Sequence, residues 1–325
     1  MKLKPVLLIS AAIVCIFIPS CEKNGEVKIA VNLPKGFSAL VRTTMERETS
    51  LIALGIRTSK SRTMTEEYLV ECLDVDDNGV MKVKQTYKSC KVTGYRAASE
   101  GERGDYYEYD MSSPPDDVSY TLRFHAAGLG ESLIIYVSPE GETIDVNGAE
   151  AFADRLMGEM KGLEEAQREP TRERFIESLW FSSVVGLLKE YPRKPKIVGR
   201  SWKTTRDMSR PLRLGERAGK RSDKFKLVSV TDGVANLKKE STFEKKVTED
   251  HSGFLTTGTK LQFTLKENGT SSSEIKVALS TGVILSSRTV EQSQLEKFGP
   301  MPLKRRSAKS EIKYKTVRTI ETIIQ

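Results

Sequence analysis

The 325-residue chain has little of what most active sites are built from: two histidines, four cysteines and two tryptophans. With only His125 and His251, and no H-x-x-x-H spacing, the ligand supply argues against a structural zinc site or a zinc hydrolase. No G-x-S-x-G elbow marks a serine nucleophile, and the S-x-x-K match at Ser273–Lys276 lies in an alternating run. An acyl enzyme needs that serine and lysine one helical turn apart, whereas a strand sends them to opposite faces. Gly128–Glu131 lacks the third glycine and the helix of a dinucleotide loop. No two of the many Asp and Glu residues stand out as a glycosidase pair. The chain is therefore expected to be non-enzymatic, with no cofactor. A hydrolase with an unrecognised carboxylate or serine site ranks last among its readings.

Long apolar runs are also scarce. One exists, residues 5–18, preceded by Lys2 and Lys4 and followed by Ser20 and Cys21. Basic start, apolar middle and small residue are the three parts of a secretory signal, and the run is shorter than the roughly twenty residues a membrane-spanning helix needs. Its ending, Ile18-Pro19-Ser20-Cys21, resembles the lipobox of bacterial lipoproteins, with Pro19 as a departure from the usual small or aliphatic residue. The resemblance implies that residues 1–20 are removed and that Cys21 carries lipid, several acyl chains giving firm attachment where one would be marginal. Glu22, where an aspartate would favour the inner membrane of many Gram-negative bacteria, leans the expectation to the outer membrane, periplasmic or surface face. Of the remaining cysteines, Cys72 and Cys90 form an even pair, so a disulfide is open. If Asn78–Gly79 turns a two-residue hairpin, Cys72 falls opposite Gln85 and Cys90 on the other face, and a bridge then needs a bulge or a third strand.

Charge is unevenly spread. Residues 191–325 hold 29 Lys and Arg against 14 Asp and Glu, while residues 21–190 hold 21 against 30. Such asymmetry suggests attraction between halves or a basic half shown to an anionic partner. The densest stretch, 193–206, nominates Arg193, Lys194, Lys196, Arg200, Lys203 and Arg206 as contacts. In an exported protein that partner is an anionic lipid, lipopolysaccharide or a wall polymer, not nucleic acid.

Repeats organise the rest. Residues 68–92 are echoed by 223–247, each an alternating run, an acidic-Gly turn and a second run; 134–146 are echoed by 275–288, and 39–48 by 201–210. Leu133, Ile135 and Val137 share a strand face, as do Ile312, Tyr314, Ile320 and Ile324; Leu122 and Phe124 share another. Asn268–Gly269 reads as a further hairpin turn, and residues 96–105 and 213–223 read as mobile loops. Between the copies the period becomes helical: Phe152, Leu156, Met160 and Leu163, then Phe175 to Leu188, with Thr171 as N-cap and Pro192 as terminator. Trp180 and Trp202 read as core anchors. The expected fold is α+β: signal 1–20, tether 21–36, β module 37–146, helical pair 147–192 and a second related antiparallel β module 193–325.

The turn Val137–Gly141 leading into a helix after residues 145–148, and the proline-bearing stretch 191–202 reaching Gly199 and Trp202, together resemble an uncharacterised bacterial family of secreted and lipid-anchored proteins of unknown function. That resemblance implies location and architecture and assigns no site residue. The one metal-like motif, Asp74, Asp76 and Asn78 before Gly79, matches the first half of a calcium loop, but Gln85 stands where the bidentate glutamate belongs. The readings carried forward are a lipid-anchored envelope protein with a binding or structural role and, second, a periplasmic carrier holding an acyl chain in an apolar groove.

Overall fold

A computed structural model describes residues 25–53, 56–96, 105–113, 126, 128–159, 168–169, 171–173, 176, 194–212, 215–250, 262–301 and 304–325. In chain order the elements are β1 (Glu26–Val27), β2 (Ser38–Ala53), β3 (Ile56–Val75), β4 (Met81–Arg96), β5 (Asp105–Asp110), β6 (Ser132–Val137) and β7 (Thr143–Asn147). Helix α1 (Ala149–Glu159) follows, then β8 (Lys196–Ile197), β9 (Ser201–Asp207), β10 (Arg210–Leu212) and β11 (Gly215–Thr231). The chain ends in β12 (Val234–Asp250), β13 (Gln262–Ala278), β14 (Ile284–Met301) and β15 (Lys304–Ile324).

Thirteen strands form one antiparallel sheet, whose path is β10-β11-β12-β13-β14-β15-β2-β3-β4-β6-β7. This corrects the α+β expectation. The two halves are not separate modules bridged by a helical pair; they abut directly, because β15 pairs with β2 along fifteen residues, from Ser310↔Ala53 to Ile324↔Ala39. The helical period yields one eleven-residue helix, α1. Of the second helical stretch only 171–173 and 176 are described, and they are helical. Trp180, Pro192, Leu122, Phe124, His125 and His251 lie outside the described residues.

The three recurring stretches hold matching places in the sheet. β2-β3-β4-β6-β7 and β9-β11-β12-β13-β14 run in the same order with the same antiparallel sense. Ahead of β2, the Gly36 amide donates to the Cys72 carbonyl and the Cys72 amide to that of Phe37; ahead of β9, Gly199 donates to Leu227 and Leu227 to Arg200. Both glycines have φ near +85°, a conformation open to glycine at little cost. Both β3 and β11 carry a bulge one residue past this point, between Cys72 and Asp74 and between Leu227 and Ser229. The short strands β1 and β8 pair with each other.

The turns at 76–80, 138–142, 231–234 and 278–283 lie at one end of the sheet, the base. There residues 27–37 cross from one half to the other, with Val31 donating to Pro139 and Asn32 to Thr281. Each half bonds this strap through its own turn. Two of the core clusters are at the base as well: Val31, Leu33, Val41, Val70, Val83, Ile135 and the helix residue Ala149 form one, and Val27, Ile29, Leu227, Leu237, Val277 and Ile284 another. Burying each such side chain contributes about 1.5–3 kcal/mol. Arg155 of α1 pairs with Glu131, pinning the helix to the start of β6.

Three local expectations are corrected. Asn268–Gly269 is not a turn but the middle of β13, because Gly269 must lack a side chain: a Cβ there would lie 2.3 Å from the Phe243 ring. Residues 215–223 are not a loop but the first half of β11, held on both sides by β9 and β12. The 76–80 turn is longer than two residues, closed by Asp76, whose carboxylate accepts from the Asn78 and Val80 amides at 2.9 and 2.8 Å. Cys72 therefore faces Val83, not Gln85. A register shift past Tyr87 brings Cys90 back to the same face, yet Cys90 sits opposite Glu66, six residues or about 20 Å along β3 from Cys72. Both are free, buried thiols.

Both sheet edges are built from short pieces. β9 and β10 lie end to end along β11, and β5 and β6 along β4. Short edges limit strand addition by other chains.

Candidate functional site

Above the base, the face of the sheet that carries the core holds a third apolar cluster in the first half, Met64, Tyr87, Cys90, Val92 and Met111, and turns polar in the second. On that inner face Asp223, 8% exposed, receives Lys239 Nζ and Arg221 Nε at 3.0 Å each. Lys239 also lies over the Phe225 ring, which stacks on Trp202 at 5.3 Å between centroids. Burial works against the Asp223 charge, but the Ser241 hydroxyl and Lys239 hold its carboxyl below the usual range. Burial drives the Lys239 amine below the ordinary lysine value in spite of its partner. In the other half Tyr87 donates to Glu66 Oε1 at 2.8 Å and stacks on Tyr68. Burial first, and the Glu66 charge second, push both phenols up. Burial likewise pushes the Cys90 thiol up to about 11, which leaves it protonated and a poor nucleophile. These networks fill the interior; Arg47, stacked over Tyr314 at 4.3 Å, continues them at the β15–β2 junction.

The opposite, outer face is concave. A trough of about 1120 Å³ there is lined from Tyr95 on β4 to Lys220 on β11, with contributions from all six strands between them. For residues seven strands apart to line one space, the sheet must curve round it. Many lining residues are uncharged and polar, Ser61, Thr242, Asn268, Thr270, Gln292 and Gln294 among them, with Tyr95, Phe243 and Tyr314 also in its wall. Its charges are balanced locally. Lys315 pairs with Glu48 at 3.6 Å and Lys313 with Glu311 at 3.1 Å, and Lys220 is registered opposite Glu244. Tyr95, 42% exposed, stands at one end. Sequence reading missed this site altogether. Its signal was the density of Ser, Thr, Asn and Gln in residues 268–273 and 292–294, of which Asn268 had instead suggested a turn.

The residues nominated from sequence fall apart in space. Cys21 and Arg193 lie outside the described residues. Lys194, Lys196 and Arg200 are at the base, where Lys196 lies 5.7 Å over the Trp202 ring. Lys203 and Arg206 are both exposed on β9 but point to opposite faces, since they pair with Lys224 and Arg221 respectively. The structure therefore brings Lys196 and Trp202 together and spreads the other cations. Trp202 itself packs on the second core cluster, as an anchor would. Asp74 is bonded to Lys35 at 3.0 Å, and this hydrogen bond lowers its pKa; Asp76 is engaged by the turn amides. Among the described residues no group of three His, Cys, Asp or Glu is placed to hold a metal. Ser273 is buried and Lys276 exposed, on opposite faces of β13.

Among the described residues no helix is long and apolar enough to cross a membrane. No curated protein matches the chain. Among solved structures, a lipovitellin structure on lipid–protein interactions superposes at TM-score 0.39 with 9% identity, over 90% of this chain and 25% of that one. This chain thus spans about a quarter of that protein's length. OccK7 (OpdD) of Pseudomonas aeruginosa gives TM-score 0.22 at 7% identity, covering 89% and 100%, and an outer membrane channel of Pseudomonas putida F1 gives 0.19 at 8%, covering 93% and 99%. Likeness at these levels carries no conclusion about fold or function. Residues 78–284, by contrast, match a single family across both halves of the sheet, and the chain belongs to that family of unknown function, DUF6263.

Proposed function

We propose that the protein is a lipid-anchored component of the bacterial cell envelope, attached through Cys21, whose long sheet acts as a spacer presenting cations to an anionic envelope polymer or lipid. The observation that supports this reading is the run of cations that opens β15, at the end of the sheet away from the anchor. The chain enters at the base: Glu26, five residues after Cys21, begins β1 there. The base carries both signs, with Asp76, Asp77, Glu140 and Asp232 in its turns and Lys194, Lys196 and Arg200 beside them. At the far end β15 opens with Lys304, Arg305, Arg306, Lys309 and Lys313 against Glu311 alone. β15 has 21 residues, which at about 3.3 Å each sets the two ends roughly 65 Å apart. Lipid at one end and cations at the other suit a partner that is not the anchoring membrane surface itself.

The experiment is co-sedimentation of the mature chain with lipopolysaccharide and with an anionic wall polymer at rising salt. Binding should weaken steeply from low to physiological ionic strength, because exposed charges are screened within about 8 Å there. Replacing Lys304, Arg305, Arg306 and Lys309 by Glu should abolish it. Salt-insensitive binding, or full binding by the charge-reversed variant, would remove the proposal. Separately, a Cys21→Ser variant that still partitions with membranes would remove the anchor.

A further inference from the structure

The outer-face trough is a second site of different chemistry, and we propose that it binds a neutral, extended oligosaccharide. Three features lead there, none of which depends on the anionic partner.

The first is hydrogen-bonding capacity without net charge. Asn268, Thr270, Thr242, Gln292, Gln294 and Ser61 offer hydroxyls and carboxamides that both donate and accept, which is what a sugar's hydroxyls require. The lysines that reach the trough are matched by Glu48, Glu244 and Glu311. Lys60 also borders it, but by strand alternation its side chain belongs to the inner face. A phosphorylated polymer or nucleic acid would meet no excess of cations there.

The second is extent. Seven inter-strand steps separate β4 from β11 along the path of the sheet, about 33 Å of contour at ~4.8 Å per step. That suits a chain lying across the strands and is long for a single small molecule. The third is rigidity: the lining residues of β12 to β15 sit inside strands paired on both sides, so their donors and acceptors are held in place before a ligand arrives, which lowers the entropy cost of binding. Tyr95 supplies an exposed ring at one end, an amphipathic surface against which the apolar face of a pyranose can stack.

The test uses the mature chain on an array of neutral hexasaccharides (glucan, mannan and N-acetylglucosamine series), followed by calorimetry on any hit. The expected result is binding to at least one series, unchanged between low and high salt and unchanged in the Lys304, Arg305, Arg306 and Lys309 to Glu variant. Asn268→Ala with Gln292→Ala should weaken it roughly ten-fold, the effect of removing two neutral hydrogen bonds. Both residues are exposed, so the double variant should keep the melting temperature of the parent, and circular dichroism checks that it does. Retention of no neutral glycan, full affinity in the double variant, or affinity that falls with salt would each overturn the proposal. The last outcome would assign the binding to the basic end instead.

Discussion

The two halves of the sheet repeat one backbone with different contents. Gly36 and Gly199 make equivalent hydrogen bonds, and the bulges beside Cys72 and Leu227 coincide, yet the first half carries the acidic excess and the second the basic one. In the first half the core position is a thiol packed with Leu33 and Val83; in the second it is Leu227 packed with Leu237 and Ile275. Above the core, the first half buries Glu66 among tyrosines while the second buries an Asp–Lys–Arg cluster. Backbone geometry has been kept and side-chain chemistry has diverged, which is the pattern expected when turns and strand registers set the fold and surfaces carry the function.

The sharpest way to break the comparison is at the strap that joins the halves. A Cβ at Gly282, whose φ is +69°, would lie 2.2 Å from the Ala30 carbonyl oxygen, so Gly282→Ala must displace the strap. About 4 kcal/mol of destabilisation is expected from the clash and the strained backbone together, read as a shift in urea midpoint. Gly233, with similar φ and nothing within 4 Å, should cost only about 1 kcal/mol on the same change. An equal loss at both would mean that the strap is not held as described.

Next in size is the buried cluster peculiar to the second half. Asp223→Asn leaves Lys239 and Arg221 facing one another without a counter-charge, at a cost of about 3 kcal/mol. Its pH signature has a definite sign. The folded carboxyl titrates below its ordinary 3.8, so its stabilisation is full above that value and is lost as pH falls through the lower folded value. The Asn variant should lack this acid component, as paired urea titrations would reveal.

At the core positions themselves, Leu227→Ala should cost about 3 kcal/mol, and Cys72→Ala distinctly less, since a thiol leaves a smaller cavity than an isobutyl group. The smallest expected signal is chemical. Cys72 and Cys90 are both buried with raised pKa, so alkylation by iodoacetamide in the native protein should be far slower than after denaturation. Rapid native labelling would show that the first half opens.

Much of this was legible in the residues. Alternation located the face shared by Leu133, Ile135 and Val137, which are buried as a set, and the repeats anticipated which hairpins recur. The Asp76 turn was visible as a turn, but not its length, because an Asx carboxylate that bonds two amides competes with the two-residue hairpin that Asn-Gly favours. Asn268–Gly269 misled for a related reason: the glycine is required by a ring on the neighbouring strand, a contact between residues 26 apart that local pattern does not contain. The trough was invisible, because its lining residues look like ordinary solvent-facing strand positions until eight strands are assembled and curved.

By itself the order of residues determined the strand-forming alternation, the duplicated hairpins, the separation of charge between halves and the scarcity of catalytic side chains, since each depends on neighbours in the chain or on counting. Only tertiary structure decided that the two halves become one sheet, that the nominated cations scatter over two faces, and that uncharged polar residues from eight strands converge. Those outcomes depend on which strand pairs with which. The pairing of β15 with β2 joins segments more than 250 residues apart, and no local preference encodes a choice made by long-range burial and register.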